Sequence, residues 1–186
     1  MLKVAFIVPP YVELLDLAGP AQTFLEAKSH GLDAAIEFYS FHDRTISTSG
    51  VGFGEIKNYK EADLKAGDYV FVPGTEHDYL RSDQFLAEKS FFAWIAQCAD
   101  SNVNTCSICT GAFFLGEAGL LDGRECTTHW RRTDELKTRF PKAKVLADIL
   151  YVKSDNIYTS AGISAGIDLA LAILEHLKGP NFVHKV

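Results

Sequence analysis

Val103-Asn-Thr-Cys-Ser-Ile-Cys109-Thr-Gly-Ala-Phe-Phe-Leu-Gly-Glu-Ala-Gly119 decides how this chain is read. The stretch opens as a short, partly β-branched run and breaks at Cys109-Thr110-Gly111. Beyond the break, Ala112, Phe113, Leu115 and Ala118 have the spacing of a helix of about two turns. Cys109 therefore falls at a sharp strand-to-helix turn, which lifts its side chain out of the sheet as a nucleophile elbow does. The start of the next helix favours negative charge. An acidic thiol with free N–H donors beside it is the expected result.

The flanking segments give this turn a fold. Residues 3–8 and 68–72 are continuous apolar runs, typical of strands buried on both faces, and 34–41 reads as a third strand. Gly19-Pro20 predicts a helix over 19–30 with proline in its first turn, which leaves Asp16 in a loop. Residues 46–54 suggest a small hairpin, and 82–99 one amphipathic helix. A charged helix is expected over 130–140, a strand pair over 144–152 and 156–159, and a long apolar helix over 164–178 closed by Gly179-Pro180. Strands alternating with helices predict an α/β chain with a mostly parallel sheet covered on both faces, in one domain spanning 1–186.

Bulk properties remove several function classes. At 186 residues, 47% hydrophobic and 23% charged, the chain has the balance of a globular domain with a real core. A net charge of -6 and no long basic run argue against nucleic acid as the main partner. No apolar run reaches the ~18 residues of a membrane span, and the N-terminus lacks a signal-peptide pattern. Four cysteines in a chain this long do not make a disulfide scaffold, so a cytoplasmic location is expected.

In a parallel sheet, ligands bind beyond the carboxyl ends of the strands. Asp16, Gly74 and Cys109 each follow a predicted strand, so all three belong on one edge. A free cysteine is more often a small buried apolar residue, but the elbow favours Cys109 as a nucleophile. Gly111 and Ala112 beside it would let a substrate approach the backbone closely. Cys106 and Cys109 form a C-x-x-C, yet Cys98 and Cys126 are isolated singles and Cys106 would lie within the strand, so no metal or other cofactor is expected. Asp16, set among Leu14, Leu15, Leu17 and Ala18, should be partly desolvated and share a proton with a neighbouring thiol. Such an aspartate suits general acid/base work. His129 would be a helix-start residue with Thr127 or Thr128 as the cap unless it lies near Cys109, where it would move protons. Backbone amides at Gly74 and Thr110 would form an oxyanion hole.

The run from Cys109 to Gly123, then Thr127-Thr-His-Trp130, then Ser160-Ala-Gly-Ile-Ser-Ala-Gly-Ile-Asp-Leu169, resembles the ThiJ/PfpI superfamily, whose domain is like class I glutamine amidotransferases. Asp16-Leu-Ala-Gly-Pro20 and Val72-Pro-Gly74 fit the same pattern, so the resemblance spans essentially the whole chain. It implies a flavodoxin-like three-layer sandwich, a homodimer, and a nucleophilic cysteine at the elbow. Two branches look most similar. In isonitrile hydratases an aspartate, the elbow cysteine and the following threonine hydrate an isonitrile to an N-substituted formamide; by motif these are Asp16, Cys109 and Thr110. The other branch is the sensor domain of AraC-type regulators, which carry a helix-turn-helix domain after the Ser-Ala-Gly-Ile helix. With the sequence stopping at Val186, a stand-alone enzyme acting on a small molecule is expected rather than a small-molecule or redox sensor.

Departures from the superfamily are informative. The peptidase branch has histidine directly after the cysteine, where Thr110 stands here. The glyoxalase and deglycase branch uses a glutamate, the elbow cysteine and a histidine, which Asp16, Cys109 and His129 would imitate with a shorter carboxylate. Many members have Pro-Gly-Gly where this chain has Pro73-Gly74-Thr75, so Thr75 would narrow the substrate pocket.

Overall fold

The computed structural model describes residues 1–186. The chain runs β1 (Leu2–Val8), α1 (Leu14–Ser29), β2 (Ala34–Ser40), β3 (Arg44–Ile46), β4 (Gly52–Gly54), β5 (Lys57–Asn58) and β6 (Tyr69–Val72). Three helices follow, α2 (His77–Leu80), α3 (Asp83–Ala87) and α4 (Lys89–Asp100). Next come β7 (Asn104–Ile108), a 3-10 turn at Cys109–Gly111, and α5 (Ala112–Glu117). The remainder is β8 (Glu125–Cys126), a 3-10 turn at Trp130–Arg132, α6 (Thr133–Arg139), β9 (Lys144–Val145), β10 (Tyr151–Ser154), β11 (Ile157–Ser160), α7 (Ala165–Lys178) and α8 (Pro180–Val183).

Seven strands form one sheet in the order β10-β11-β7-β6-β1-β2-β5. Every pairing is parallel except β10 with β11. Side chains alternate across it: Ala5 and Ile7 of β1 and Val70 and Val72 of β6 enter the core beneath α2 to α6. Val4, Phe6 and Val8, with Tyr69 and Phe71, enter the core beneath α1 and α7. This is the helix, sheet, helix layering of the flavodoxin-like α/β fold that the sequence predicts. The chain leaves β1 toward β2 on one side and returns to β6 on the other. The carboxyl ends of β1 and β6 therefore flank a topological switch point, where open α/β sheets place their ligand crevice.

Three expectations need correction. Helix α1 begins at Leu14, so Asp16 sits in its first turn, not in a loop, and Pro20 lies inside the helix. The start is fixed by tertiary contact: the Glu13 amide donates to the Gly74 carbonyl at 2.9 Å, and the Glu13 carbonyl accepts from Leu17. Residues 82–99 form two helices, not one. Ser82 caps α3 through the Phe85 amide, and the Glu88 carbonyl opens α4 by accepting from Phe91 and Phe92. Of the expected apolar face, Phe85, Phe91, Phe92 and Ile95 are buried, whereas Leu86 is exposed. Residues 144–152 are two strands in two sheets, since β9 pairs with β8 while β10 pairs with β11. The predicted hairpin is present as β3 and β4.

Candidate active site

Cys109 stands where β7 ends, with φ of 56°, the left-handed backbone of a strained elbow. Its peptide is clamped on both sides. The Cys109 amide donates to the Ala161 carbonyl at 3.3 Å, and the Thr128 hydroxyl donates to the Cys109 carbonyl at 2.8 Å. Gly111 lets the elbow close down on β6: a β-carbon there would collide with the Val72 carbonyl. The close approach that Gly111 permits in the structure is thus to the backbone of β6, and both Gly111 and Ala112 are buried.

Asp16, fully buried, reaches this elbow from α1. Gly74 is the point of closest approach. A β-carbon on it would stand 2.5 Å from Asp16 Oδ2, 2.9 Å from Thr110 Oγ1 and 3.1 Å from Cys109 Cβ. Only glycine leaves room for these three side chains to meet. The Gly74 amide donates to Asp16 Oδ2 at 3.2 Å, so it orients the carboxyl and is not free to serve an oxyanion hole. Asp16 Oδ1 has no hydrogen-bond partner of ordinary geometry.

Burial pushes the Asp16 carboxyl up to about 7 from its ordinary 3.8, with the charge of Glu13 adding to the rise. The Cys109 thiol and the Gly74 amide draw it partly back. Cys109 itself is pushed well above the ordinary thiol range, first by burial and then by the charge of Asp16; the Thr110 amide, donating to its sulfur, opposes this. The thiol is therefore not acidic in the resting site. Desolvation and a carboxylate neighbour outweigh the start of a single-turn helix. Sharing of a proton between Asp16 and Cys109, by contrast, is what the geometry provides.

Thr110 and Thr75 are committed to each other. The Thr75 amide donates to Thr110 Oγ1, and the Thr110 hydroxyl donates to the Thr75 carbonyl, both at 3.0 Å. The Thr75 hydroxyl donates to the Pro10 carbonyl. His129 caps the 3-10 turn itself, its Nδ1 accepting from the Arg131 amide at 3.2 Å. Thr127 and Thr128 are not the cap: their hydroxyls go to the Leu146 and Cys109 carbonyls. Burial and the charges of Arg131 and Arg132 lower the His129 pKa, so the ring is neutral at physiological pH.

Cys109, Thr110, Thr75 and His129 line one cavity of about 180 Å³, together with Glu13, His77, Arg131, Arg132 and Ile163. The sequence reading missed Gly162, which sits between Cys109 and His129. A β-carbon there would be 2.9 Å from Cys109 Sγ and in collision with the His129 ring. The Ser160-Ala-Gly-Ile run that contains it was the available signal. Cys106 is not a partner of Cys109: it is buried within β7. No group of three or more His, Cys, Asp or Glu side chains is arranged to hold a metal ion.

Comparison with known proteins agrees with this fold. Residues 2–176 match the model of the DJ-1/PfpI family, and the chain belongs to that family. An isonitrile hydratase from Pseudomonas putida is 29% identical over 178 residues, 96% of this chain and 73% of that enzyme. The HTH-type transcriptional regulator CdhR of Pseudomonas aeruginosa is 33% identical over 123 residues, 66% of this chain but 35% of the regulator, so this chain matches about a third of that protein's length. Among solved structures, an AraC family transcriptional regulator from Pseudomonas putida has a TM-score of 0.83 at 20% identity, covering 99% of this chain and 96% of its own. Drosophila melanogaster DJ-1beta has a TM-score of 0.78 at 16% identity, covering 99% and 94%. At these identities the structures share the fold.

Proposed function

We propose that this DJ-1/PfpI chain is a cysteine-dependent hydratase that acts on a small electrophile of the isonitrile type. The reading is carried by the Asp16–Cys109 pair, two buried acids at the elbow that hold at least one proton at neutral pH. Addition of a thiol to an isonitrile puts sulfur and hydrogen on the same carbon. A nucleophile and an acid must therefore act side by side, and a preformed thiolate alone would not suffice.

Cys109 Sγ bonds to the terminal carbon of R–NC, and its proton, relayed through Asp16, goes to that carbon to give the thioimidate R–N=CH–S–Cys. Water then adds across the C=N bond, its oxygen to carbon and a proton to nitrogen. The tetrahedral carbon collapses to R–NH–CHO with cleavage of the C–S bond, and the proton from the hydroxyl returns to the sulfur through Asp16. The Thr110 amide holds the sulfur as it leaves. Thr110 and Thr75 keep the two loops in register, and Gly74 orients Asp16. A neutral His129 stands at the cavity to order the attacking water. We extend the proposal to a homodimer working in the cytoplasm; no helix of the chain is long and apolar enough to cross a membrane.

A second reading, a small-molecule sensor, draws on the regulators among the relatives and on the raised thiol, which leaves Cys109 protonated at rest; the same raised, buried thiol argues against a redox sensor. The deciding experiment incubates the protein with a panel of isonitriles and with 2-oxoaldehydes and follows products by NMR. Formamide formation that is lost in Cys109→Ala and slowed at least about tenfold in Asp16→Asn supports the hydratase. Lactate-type products instead would move the assignment to the glyoxalase branch. Thermal stabilisation by ligands without any turnover would favour the sensor.

A further inference from the structure

The cavity at Cys109 is lined by two arginines, Arg131 and Arg132, and one carboxylate. That carboxylate, Glu13, accepts from the Thr48 hydroxyl, and its charge acts on Asp16, Cys109 and His129 alike. The positive side chains gather around His129, whose pKa Arg131 and Arg132 both lower. Two of the lining side chains are already matched. His77 and Arg132 contact the Glu135 carboxylate at 2.8 and 3.6 Å. Arg131 makes no ion pair. Its guanidinium instead lies over the Trp130 ring, 4.7 Å from the centroid, while the side chain lines the cavity beside His129. Stacking on a ring holds a guanidinium in place and leaves its N–H donors unspent.

From this arrangement we infer that the substrate is a small anion, an electrophile carrying a carboxylate, with Arg131 as the residue that selects it. The inference rests on the enzymatic reading for its electrophile and on the unpaired Arg131 for its charge. A carboxylate on Arg131 sends the other end of a short molecule toward the elbow. A neutral molecule of the same size leaves Arg131 without a partner, and a cation is opposed by it. The small volume of about 180 Å³ suits a compact substrate with the two groups close together.

The test uses isocyanoacetate and its neutral methyl ester, which present the same isonitrile carbon. The wild-type protein is expected to favour the acid in kcat/KM by about tenfold, the value of one partly exposed charge-assisted contact. Arg131→Gln should bring that ratio close to one, chiefly through KM, with Arg131→Lys intermediate. High salt should narrow the wild-type preference. Turnover of both compounds with no preference, or a preference that survives Arg131→Gln, overturns the anion inference and leaves the hydratase reading standing. If neither compound is turned over, the hydratase reading falls, and binding to Cys109→Ala by calorimetry decides the charge question alone. Tighter binding of the acid that is lost on adding Arg131→Gln supports the inference; equal binding, or none, overturns it.

Discussion

Thr75 and Thr110 hold each other by two hydrogen bonds of 3.0 Å, amide to hydroxyl and hydroxyl to carbonyl, and so tie the loop after β6 to the elbow after β7. Both residues are buried, so neither group can turn to water instead. Thr110→Val keeps the shape and deletes both bonds. It should cost about 1–3 kcal/mol, the penalty for orphaned buried groups, and lower Tm by about 2–10 °C. Thr110→Ser should recover most of this. Calorimetry on the two variants checks the pair, and a Tm for Thr110→Val within about 1 °C of wild type would show that it contributes nothing.

Asp16 makes stability depend on pH in the direction opposite to most aspartates. It keeps its proton in the folded chain up to about 7, whereas the unfolded chain releases it near 3.8. Folding takes up a proton within that window, so the contribution of Asp16 is full below 3.8 and is lost as pH rises through 7. Asp16→Asn removes the dependence. Its Tm relative to wild type should climb between pH 4 and pH 8, by an amount on the order of 2–4 kcal/mol in stability. A difference that stays flat across this range would mean the carboxyl is not held protonated.

The thiol should be a slow nucleophile in the absence of substrate. Cys109 alkylation by iodoacetamide, followed by intact mass with Cys109→Ser as control, is expected to have a midpoint above the ordinary thiol value of 9.0. Asp16→Asn should lower that midpoint by about one pH unit or more, because it removes a charge that disfavours the thiolate. The same variant is expected to lose turnover, so its sulfur would become more reactive and its catalysis worse. A wild-type midpoint near or below neutrality would contradict the buried pair.

Gly162 leaves room for the sulfur. Gly162→Ala puts a methyl 2.9 Å from Cys109 Sγ and against the His129 ring. Something must shift, at a cost of about 1–3 kcal/mol, and kcat/KM should fall at least about tenfold as the two groups are pushed apart. Kinetics beside a melting curve separate the effects. A variant that melts lower but turns over normally would make Gly162 a packing residue only.

The order of strands and helices was legible in the sequence, because buried parallel strands are continuous apolar runs and Cys109-Thr110-Gly111 marks a turn in any context. The convergence of Asp16, Gly74 and Cys109 followed from the topology alone. What stayed hidden was tertiary. Nothing local to Glu13 says that its amide will pair with Gly74 and start α1 early. Pro20 therefore read as a helix start when it lies in the interior. The acidity of Cys109 was misjudged for a similar reason: the helix start is visible in sequence, but the burial and the facing carboxylate that override it are not. The Gly74 amide looked available to substrate until its partner, Asp16 Oδ2, was in place.

Six non-glycine residues take left-handed backbone: Tyr11, Glu55, Asn102, Cys109, Asp148 and Asp155. Five of them are exposed and can relax by moving a loop through water; Cys109 alone is buried. Its conformation persists only because Ala161, following β11, and Thr128, following β8, grip its peptide from two directions. The aim of the sulfur is thus borrowed from strands distant in sequence. Mild heat or a remote core substitution that loosens β11 or the loop after β8 lets residue 109 slip into ordinary backbone while most of the sheet still stands. Loss of chemistry at this cysteine is then the first symptom of a failing fold, ahead of any change that circular dichroism would register.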